Sequence, residues 1–301
     1  MSTFVERLFA ELRPGVTFAE CIRRSTPASA HVLEIGPGAS PTFRRKDFPN
    51  LKVSDYCGTD DLQRSLERHV GATIAHQPFD DVDYVCADGR LADVVPEGQK
   101  FDLIFSSHNI EHQPDLLTHL IHVEKLLGAS GVVTFLVPHH RHTFDIFRRL
   151  TNTGDVLLAH FGPPGVMAAK VGFEARTQSA LLPNGADRSY GPEAPVSLGK
   201  LKAGFDRFMS DVKGEGLEFE DYHHHIFSTE SLQLLMLELY LLRLTTLLPC
   251  ASSGAVGNTF LMAAAATPWP EDPAQSAVLE ANLESQRLAL YRKLAEAAGM
   301  H

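Results

Sequence analysis

The chain has 301 residues, 44% hydrophobic and 21% charged, with a formal net charge of −10. That length suits one α/β domain carrying an insertion better than two full domains. The acidic balance repels polyphosphate and argues against a nucleic-acid partner. The four cysteines, Cys21, Cys57, Cys86 and Cys250, form no CxxC pair and read as small apolar residues of a reducing compartment.

Residues 3–13 read as a helix with Phe4, Leu8 and Phe9 on one stripe. From His31 short apolar runs follow: HVLEIG (31–36), LKVSDY (51–56), VDYVCAD (82–88), FDLIFSS (101–107) and GVVTFLVP (131–138). Helix-capable segments at about 40–47, 59–70 and 89–95 separate the first four. DLLTHLIHVEKLL (115–127), with Leu116, Leu120, Val123 and Leu127 at helical spacing, precedes the fifth. Strands alternating with helices predict a doubly wound, mostly parallel sheet. Residues 139–222 break the alternation and, being too long for a plain connection, are expected to form a cap over a site. Ser228 is placed to cap a helix to about Tyr240. RLTTLLPC (243–250) and NTFLMAAAA (258–266) then read as a closing hairpin, and a helix over about 273–298 ends the chain. Its Leu279, Leu283, Leu290 and Leu294 could pack on the chain's own core or on a second copy in a homo-oligomer. The expected division is thus 1–138 core, 139–222 cap, and 223–301 core completion. The apolar stretch from Leu232 to Pro249 is interrupted by Glu238 and Arg243, which favours a buried helix and strand over a membrane span. MSTFVERLFAELRPG lacks a signal-peptide core, so a cytoplasmic protein without a membrane partner is expected.

The segment VLEIGPGASP (32–41) ends a strand at Glu34 and turns through Gly36 and Gly38. Glycine there lets a ligand approach the backbone, and a following helix would offer free N–H groups. A side chain at either glycine would occupy the ligand's space. The second strand ends in Asp55, where a carboxylate can accept from ribose hydroxyls, and the third in Ala87-Asp88-Gly89, where one can meet an exocyclic amine. Ser40 and Pro41 in place of a later glycine count against a nicotinamide dehydrogenase. ExGxG at 34–38, Asp55, Ala87-Asp88-Gly89 and FDLIFSSHNIEHQPDL (101–116), in this order, resemble the successive motifs of class I S-adenosylmethionine (SAM)-dependent methyltransferases. LLGASGVVTFLVPHHRHTFDIFR (126–148) and DYHHHIFSTESL (221–232) are similar to bacterial members associated with sugar or glycan modification. The resemblance implies a seven-stranded Rossmann-like fold with SAM as cofactor. It also implies cofactor contacts from Glu34, Gly36, Gly38, Asp55, Asp88 and Gly89, with Ser107, His108 and Asn109 lining the methyl-transfer mouth.

A methyl group on a sulfonium is already activated, so alignment and removal of the acceptor's proton remain. Histidine suits the latter task, and the chain has 15. His108, His112, His140 and His223 are the candidate catalytic residues; they come from three segments expected to converge on one sheet edge. Glu111 and His112 could instead brace the next helix, while His119 and His122 read as surface or packing residues. Asp221, His223 and His225 alternate and would share one face of an extended segment. With His139 or His142 they are candidate ligands of a divalent metal. Phe144, Phe147, Phe161, Phe173, Tyr190, Phe205 and Phe208 could line an acceptor pocket or simply form the cap's core, and Arg148, Arg149, Arg176 and Arg188 could read an acidic group. The leading expectation is O-methylation of a sugar, glycan or small hydroxylated metabolite. A metal-dependent or non-methylating enzyme on the same scaffold, or a non-catalytic SAM-binding protein, stands as the alternative.

Overall fold

The computed structural model describes residues 3–13, 15–38, 40–69, 80–181, 197–214 and 221–300. Among the described residues seven strands form one sheet, β1 (Val32–Ile35), β2 (Leu51–Asp55), β3 (Tyr84–Val85), β4 (Phe101–Ser107), β5 (Leu127–Pro138), β8 (Leu247–Ser252) and β9 (Thr259–Ala266), while β6 (Ala180–Leu181) and β7 (Ser197–Leu198) pair apart from it. Their order is β3-β2-β1-β4-β5-β9-β8. All neighbours from β3 to β5 pair in parallel, while β9 runs antiparallel to both β5 and β8. The chain therefore moves outward from β1 in one direction through β2 and β3, then crosses to β4 on the other side. Such a reversal opens a crevice at the carboxyl ends of β1 and β4.

The central strands β1, β4 and β5 are largely buried on both faces, as a doubly wound sheet requires, while the edge strands β3 and β8 are partly exposed. Val32, Leu103, Phe105 and Val132 face one layer, which contains α1 (Thr3–Glu11) and α2 (Phe18–Ser25). Leu33, Ile35, Ile104, Val133 and Phe135 face the other, which contains α4 (Leu116–Leu126) and α8 (Thr229–Leu241). Alternation along each strand thus divides the apolar runs between two cores. In α1, Phe4 and Leu8 are buried but Phe9 is 46% exposed, so the predicted stripe is narrower than expected.

Two predicted helices are absent. Residues 40–47 form bends and turns in place of a helix. The buried Glu34 carboxylate accepts from Thr42 N at 2.7 Å and Phe43 N at 3.2 Å, which folds the segment back and tucks Phe43 against Phe48 and Phe105. Residues 89–95 contain only a single 3-10 turn, Leu91–Asp93. The helix expected at 59–70 is α3 (Thr59–His69). The closing strand begins at Leu247, because Arg243 adopts φ +58° after α8 and delays the return to the sheet.

After β5 come two 3-10 turns, His140–His142 and Phe144–Phe147, and then α5 (Thr153–Phe161) and α6 (Val166–Gln178). The ribbon of β6 (Ala180–Leu181) and β7 (Ser197–Leu198) leads to α7 (Leu201–Val212). Arg176 pairs with Asp211 at 2.9 Å across α6 and α7, where Phe173 meets Phe208 edge-on. The last helix, α9 (Pro273–Ala297), lies on α8 of its own chain: Leu283 and Leu290 pack with Leu234, Leu237 and Tyr240. Among the described residues no helix is long and apolar enough to cross a membrane. Leu283→Ala is expected to cost about 3 kcal/mol in urea unfolding through lost burial and a cavity. Leu288→Ala, at a 52% exposed position of the same helix, should change stability by less than about 0.5 kcal/mol; equal effects would contradict this packing.

Candidate active site

The crevice is lined first by the turn after β1. Gly36 and Gly38 have φ values of +61° and +51°, a region that side chains rarely enter. Gly36 N–H donates to Ser54 O at 2.8 Å, tying the turn to β2. A Cβ on Gly36 would stand 2.6 Å from Asn109 Nδ2, whereas one on Gly38 would meet nothing within 4 Å. The reason for glycine therefore differs at the two positions. At Gly36 it makes room for Asn109, not for a ligand directly; at Gly38 it leaves open space over a left-handed backbone.

Asp55 ends β2 beside this turn and is 5% exposed. Its Oδ1 accepts from Tyr56 N at 2.8 Å, while Oδ2 makes no hydrogen bond of ordinary geometry among the described residues. Burial pushes its carboxyl upward, opposed by the backbone N–H groups of Tyr56 and Gly38. Asp88 is exposed, with Oδ1 accepting from Arg90 N at 3.0 Å. Gly89, at φ +76°, is buried against Gln113 and His119. Glu34 sits differently from the rest: both its oxygens hold the backbone at 42 and 43, and it is 2% exposed. Burial raises its carboxyl to about 7, partly offset by those two N–H groups. The geometry makes it a support for the loop, and among the described residues no helix directly follows Gly38.

The second half of the site lies at the end of β4. Ser107 is partly buried there, and His108 follows at φ +50°. His108 is fixed by N–H donation to Leu136 O at 2.8 Å and by Nε2 at 2.9 Å from Thr259 Oγ1. Burial lowers its basicity, with the charge of Glu111 opposing. Glu111 is fully buried, and neither oxygen has a hydrogen-bond partner among the described residues. His108 Nδ1 and His112 Nε2 stand 3.8 and 3.9 Å from its Oε1.

Backbone bonds bring the third segment in. Glu111 O accepts from His224 N at 2.6 Å and His225 N at 3.0 Å, and Phe227 O accepts from His140 N at 2.9 Å. His223 is thereby set beside His112, ring centroids 4.8 Å apart and edge-on. His223 Nδ1 lies 2.6 Å from Asp145 Oδ2, whose other oxygen accepts from Arg148 Nη1 at 2.8 Å. Burial alone would raise Asp145, but His223 and Arg148 bring it below its usual value. His112 Nδ1 lies 2.8 Å from Asp221 Oδ1. Burial opposes charge on His112, yet the Asp221 hydrogen bond and the field of Glu111 outweigh it and raise its pKa.

Of the four candidate catalytic histidines, His108, His112 and His223 surround Glu111. His140 stacks on His139 with centroids 5.1 Å apart, and burial lowers its pKa to about 4. The expected metal ligands do not converge. Asp221 turns to His112, His223 to Asp145, and His225 Nε2 to Gln113 O at 2.9 Å. His139 and His142 contact each other with ring centroids 5.3 Å apart. Among the described residues the group with ligand spacing is Glu111, His112 and His223, within 4.8 Å, so only His223 of the predicted set belongs to it. The arginines expected to read an acidic group are engaged: Arg148 with Asp145, Arg149 with Asp155, and Arg176 with Asp211. Arg188 and Tyr190 lie outside the described residues. His119 and His122 are buried on α4, as packing residues would be. Sequence reasoning missed Asp145 and the buried state of Glu111. The first had no local signal, and the second sat in the motif as a suspected brace.

No protein-family model matches the chain, and no curated protein matches its sequence. Solved structures resemble its chain course. The complex of DhpI with SAH is 14% identical, covering 89% of this chain and 96% of that one, with a TM-score of 0.34. The mitomycin 7-O-methyltransferase MmcR is 12% identical over 88% of this chain and 54% of its own, with a TM-score of 0.33. A protein described as a Zn-dependent alcohol dehydrogenase, from Rhodobacter sphaeroides, is 13% identical over 87% and 90%, with a TM-score of 0.41. Likenesses of this size assign no substrate and no residue role.

Glu34 gives the site a pH signature. Its folded pKa lies above the unfolded value of 4.5, at about 7. Its contribution is therefore full below the unfolded pKa and is lost as pH rises through the folded one. Relative to Glu34→Gln, the wild type should lose about 3 kcal/mol between pH 4.5 and pH 8. Parallel stability curves for the two proteins in urea would contradict this burial.

Proposed function

We propose that the protein is a SAM-dependent methyltransferase acting on a hydroxyl of a sugar, glycan or other small hydroxylated acceptor. The observation that carries the reading is Asp55: a buried carboxylate oxygen without a hydrogen bond of ordinary geometry among the described residues, beside two left-handed glycines, where the sheet reverses direction between β1 and β4. A ribose diol supplies the donors such an oxygen needs. The open space over Gly38 admits the ligand, and the exposed Asp88 carboxylate remains available to accept from an adenine amine. When bound, the cofactor supplies an activated methyl group. The chain's own residues supply orientation and a place for the acceptor's proton. His112 is the group proposed to take that proton, because Asp221 holds its Nδ1 side and increases its basicity. His108, fixed between Leu136 and Thr259, lines the mouth. The helices and turns of residues 139–222 are proposed to shape the acceptor side, which fits the ordering of His223 by Asp145 and Arg148 from that segment.

Loss of a charge-assisted hydrogen bond is expected to weaken S-adenosylhomocysteine binding about 10–100-fold in Asp55→Asn, read by calorimetry. Unchanged affinity would remove the cofactor reading. His112→Ala is expected to lower kcat by about 100-fold or more on an accepted substrate while leaving cofactor affinity in place. Normal turnover would leave His112 with a bracing role only.

A further inference from the structure

We propose that Glu111, His112 and His223 bind one divalent first-row transition-metal ion, such as Zn²⁺. The role given to the ion rests on the acceptor reading above, whereas its binding does not. The three ligand atoms already lie within 4.8 Å of one another. Glu111 is fully buried with both oxygens free of hydrogen bonds among the described residues, a state a carboxylate keeps only when something else compensates it. The separation of 3.9 Å between Glu111 Oε1 and His112 Nε2 is too long for a hydrogen bond. It lies only about half an ångström beyond the spacing of two atoms sharing a tetrahedral ion.

Both imidazoles are oriented as ligands are. Asp145 takes the Nδ1 side of His223 by a hydrogen bond, leaving its Nε2 as the lone-pair nitrogen, and Asp221 Oδ1 lies 2.8 Å from His112 Nδ1 as an ion-pair contact on the side away from Glu111. Asp145 is itself held by buried Arg148. The carbonyl of Glu111 receives the N–H groups of His224 and His225, so the backbones carrying the ligands are locked together. Two imidazoles and one carboxylate suit zinc, iron or cobalt, and not calcium or magnesium, which prefer oxygen alone. Three protein ligands leave a position open. An acceptor hydroxyl placed there would become more acidic and could give its proton to solvent water, so His112 would hold the ion when metal is bound and take the proton when it is not.

The test uses tag-free full-length protein, stripped with a chelator and titrated with Zn²⁺ alone by calorimetry and with Co²⁺ by visible absorption. One equivalent is expected. Glu111→Gln and His112→Ala should each weaken Zn²⁺ binding by about 100-fold or more, and Asp145→Asn by about 10–100-fold as a positioning residue. A His139→Ala, His142→Ala double variant should bind as wild type does. Circular dichroism checks folding; if Glu111→Gln does not fold, His112→Ala, at the partly exposed ligand, decides. Absence of Zn²⁺ binding, or one-equivalent binding that survives the folded ligand variants, overturns the proposal. S-adenosylhomocysteine affinity measured on the same stripped protein separates the two readings. Cofactor binding without Zn²⁺ binding sinks the metal site alone, and Zn²⁺ binding without cofactor binding sinks the methyltransferase reading alone.

Discussion

The carbonyl of Glu111 accepts two backbone N–H groups from residues far along the chain, and the arrangement of the site follows from that. His224 and His225 donate to it, Ile226 O accepts from Thr151 N, and Phe227 O accepts from His140 N. Buried main-chain groups must find partners, and here the end of β4, the turns after β5 and the returning segment satisfy one another. The histidines are therefore brought together by backbone pairing, not by their own rings. That leaves the side chains free to hold geometry that folding alone would not select.

Two buried carboxylates illustrate the difference. Glu34 and Glu111 are both withdrawn from water, at 2% and 0% exposure. Glu34 places both oxygens on backbone N–H groups and shapes the loop below the crevice. Glu111 has two imidazole nitrogens at 3.8 and 3.9 Å and no hydrogen bond among the described residues. Burial of a charge without such bonds is costly unless a ligand completes it. The neighbouring Asp145, by contrast, is matched by Arg148 and His223, so the carboxylate without hydrogen bonds is local to one position.

The sheet was legible because five apolar runs, each ending in a turn or polar residue, carry the pattern of strands buried on both faces. The placing of Gly36, Gly38 and Asp55 together at neighbouring strand ends was legible because a strand end fixes where its last residues lie. The missing helix at 40–47 was not, since a long-range bond from Glu34 overrides local propensity. The metal-ligand geometry failed for a related reason. Alternation of Asp221, His223 and His225 suggested one shared face, but each side chain is claimed by a partner from a different segment. The His223–Asp145 contact spans 78 positions and leaves no local trace. Convergence at the sheet edge could be read from topology, while the partner of each imidazole could not.

His108 joins the two halves of the crevice. A non-glycine residue at φ +50° costs about 1–2 kcal/mol, and that cost is borne where β4 leaves the sheet, held by bonds to Leu136 and Thr259. The turn sends Asn109 against Gly36, and the following residues place Glu111 and His112 in the cluster. A side chain added at Gly36 would press on Asn109, and Asn109 Oδ1 in turn accepts from Gln113 Nε2 at 3.1 Å. Strain at the glycine turn would thus reach the segment carrying Glu111 before reaching any ligand. The turn after β1 and the histidine cluster are mechanically linked, because the residues that follow strained His108 reach both Gly36 and the cluster.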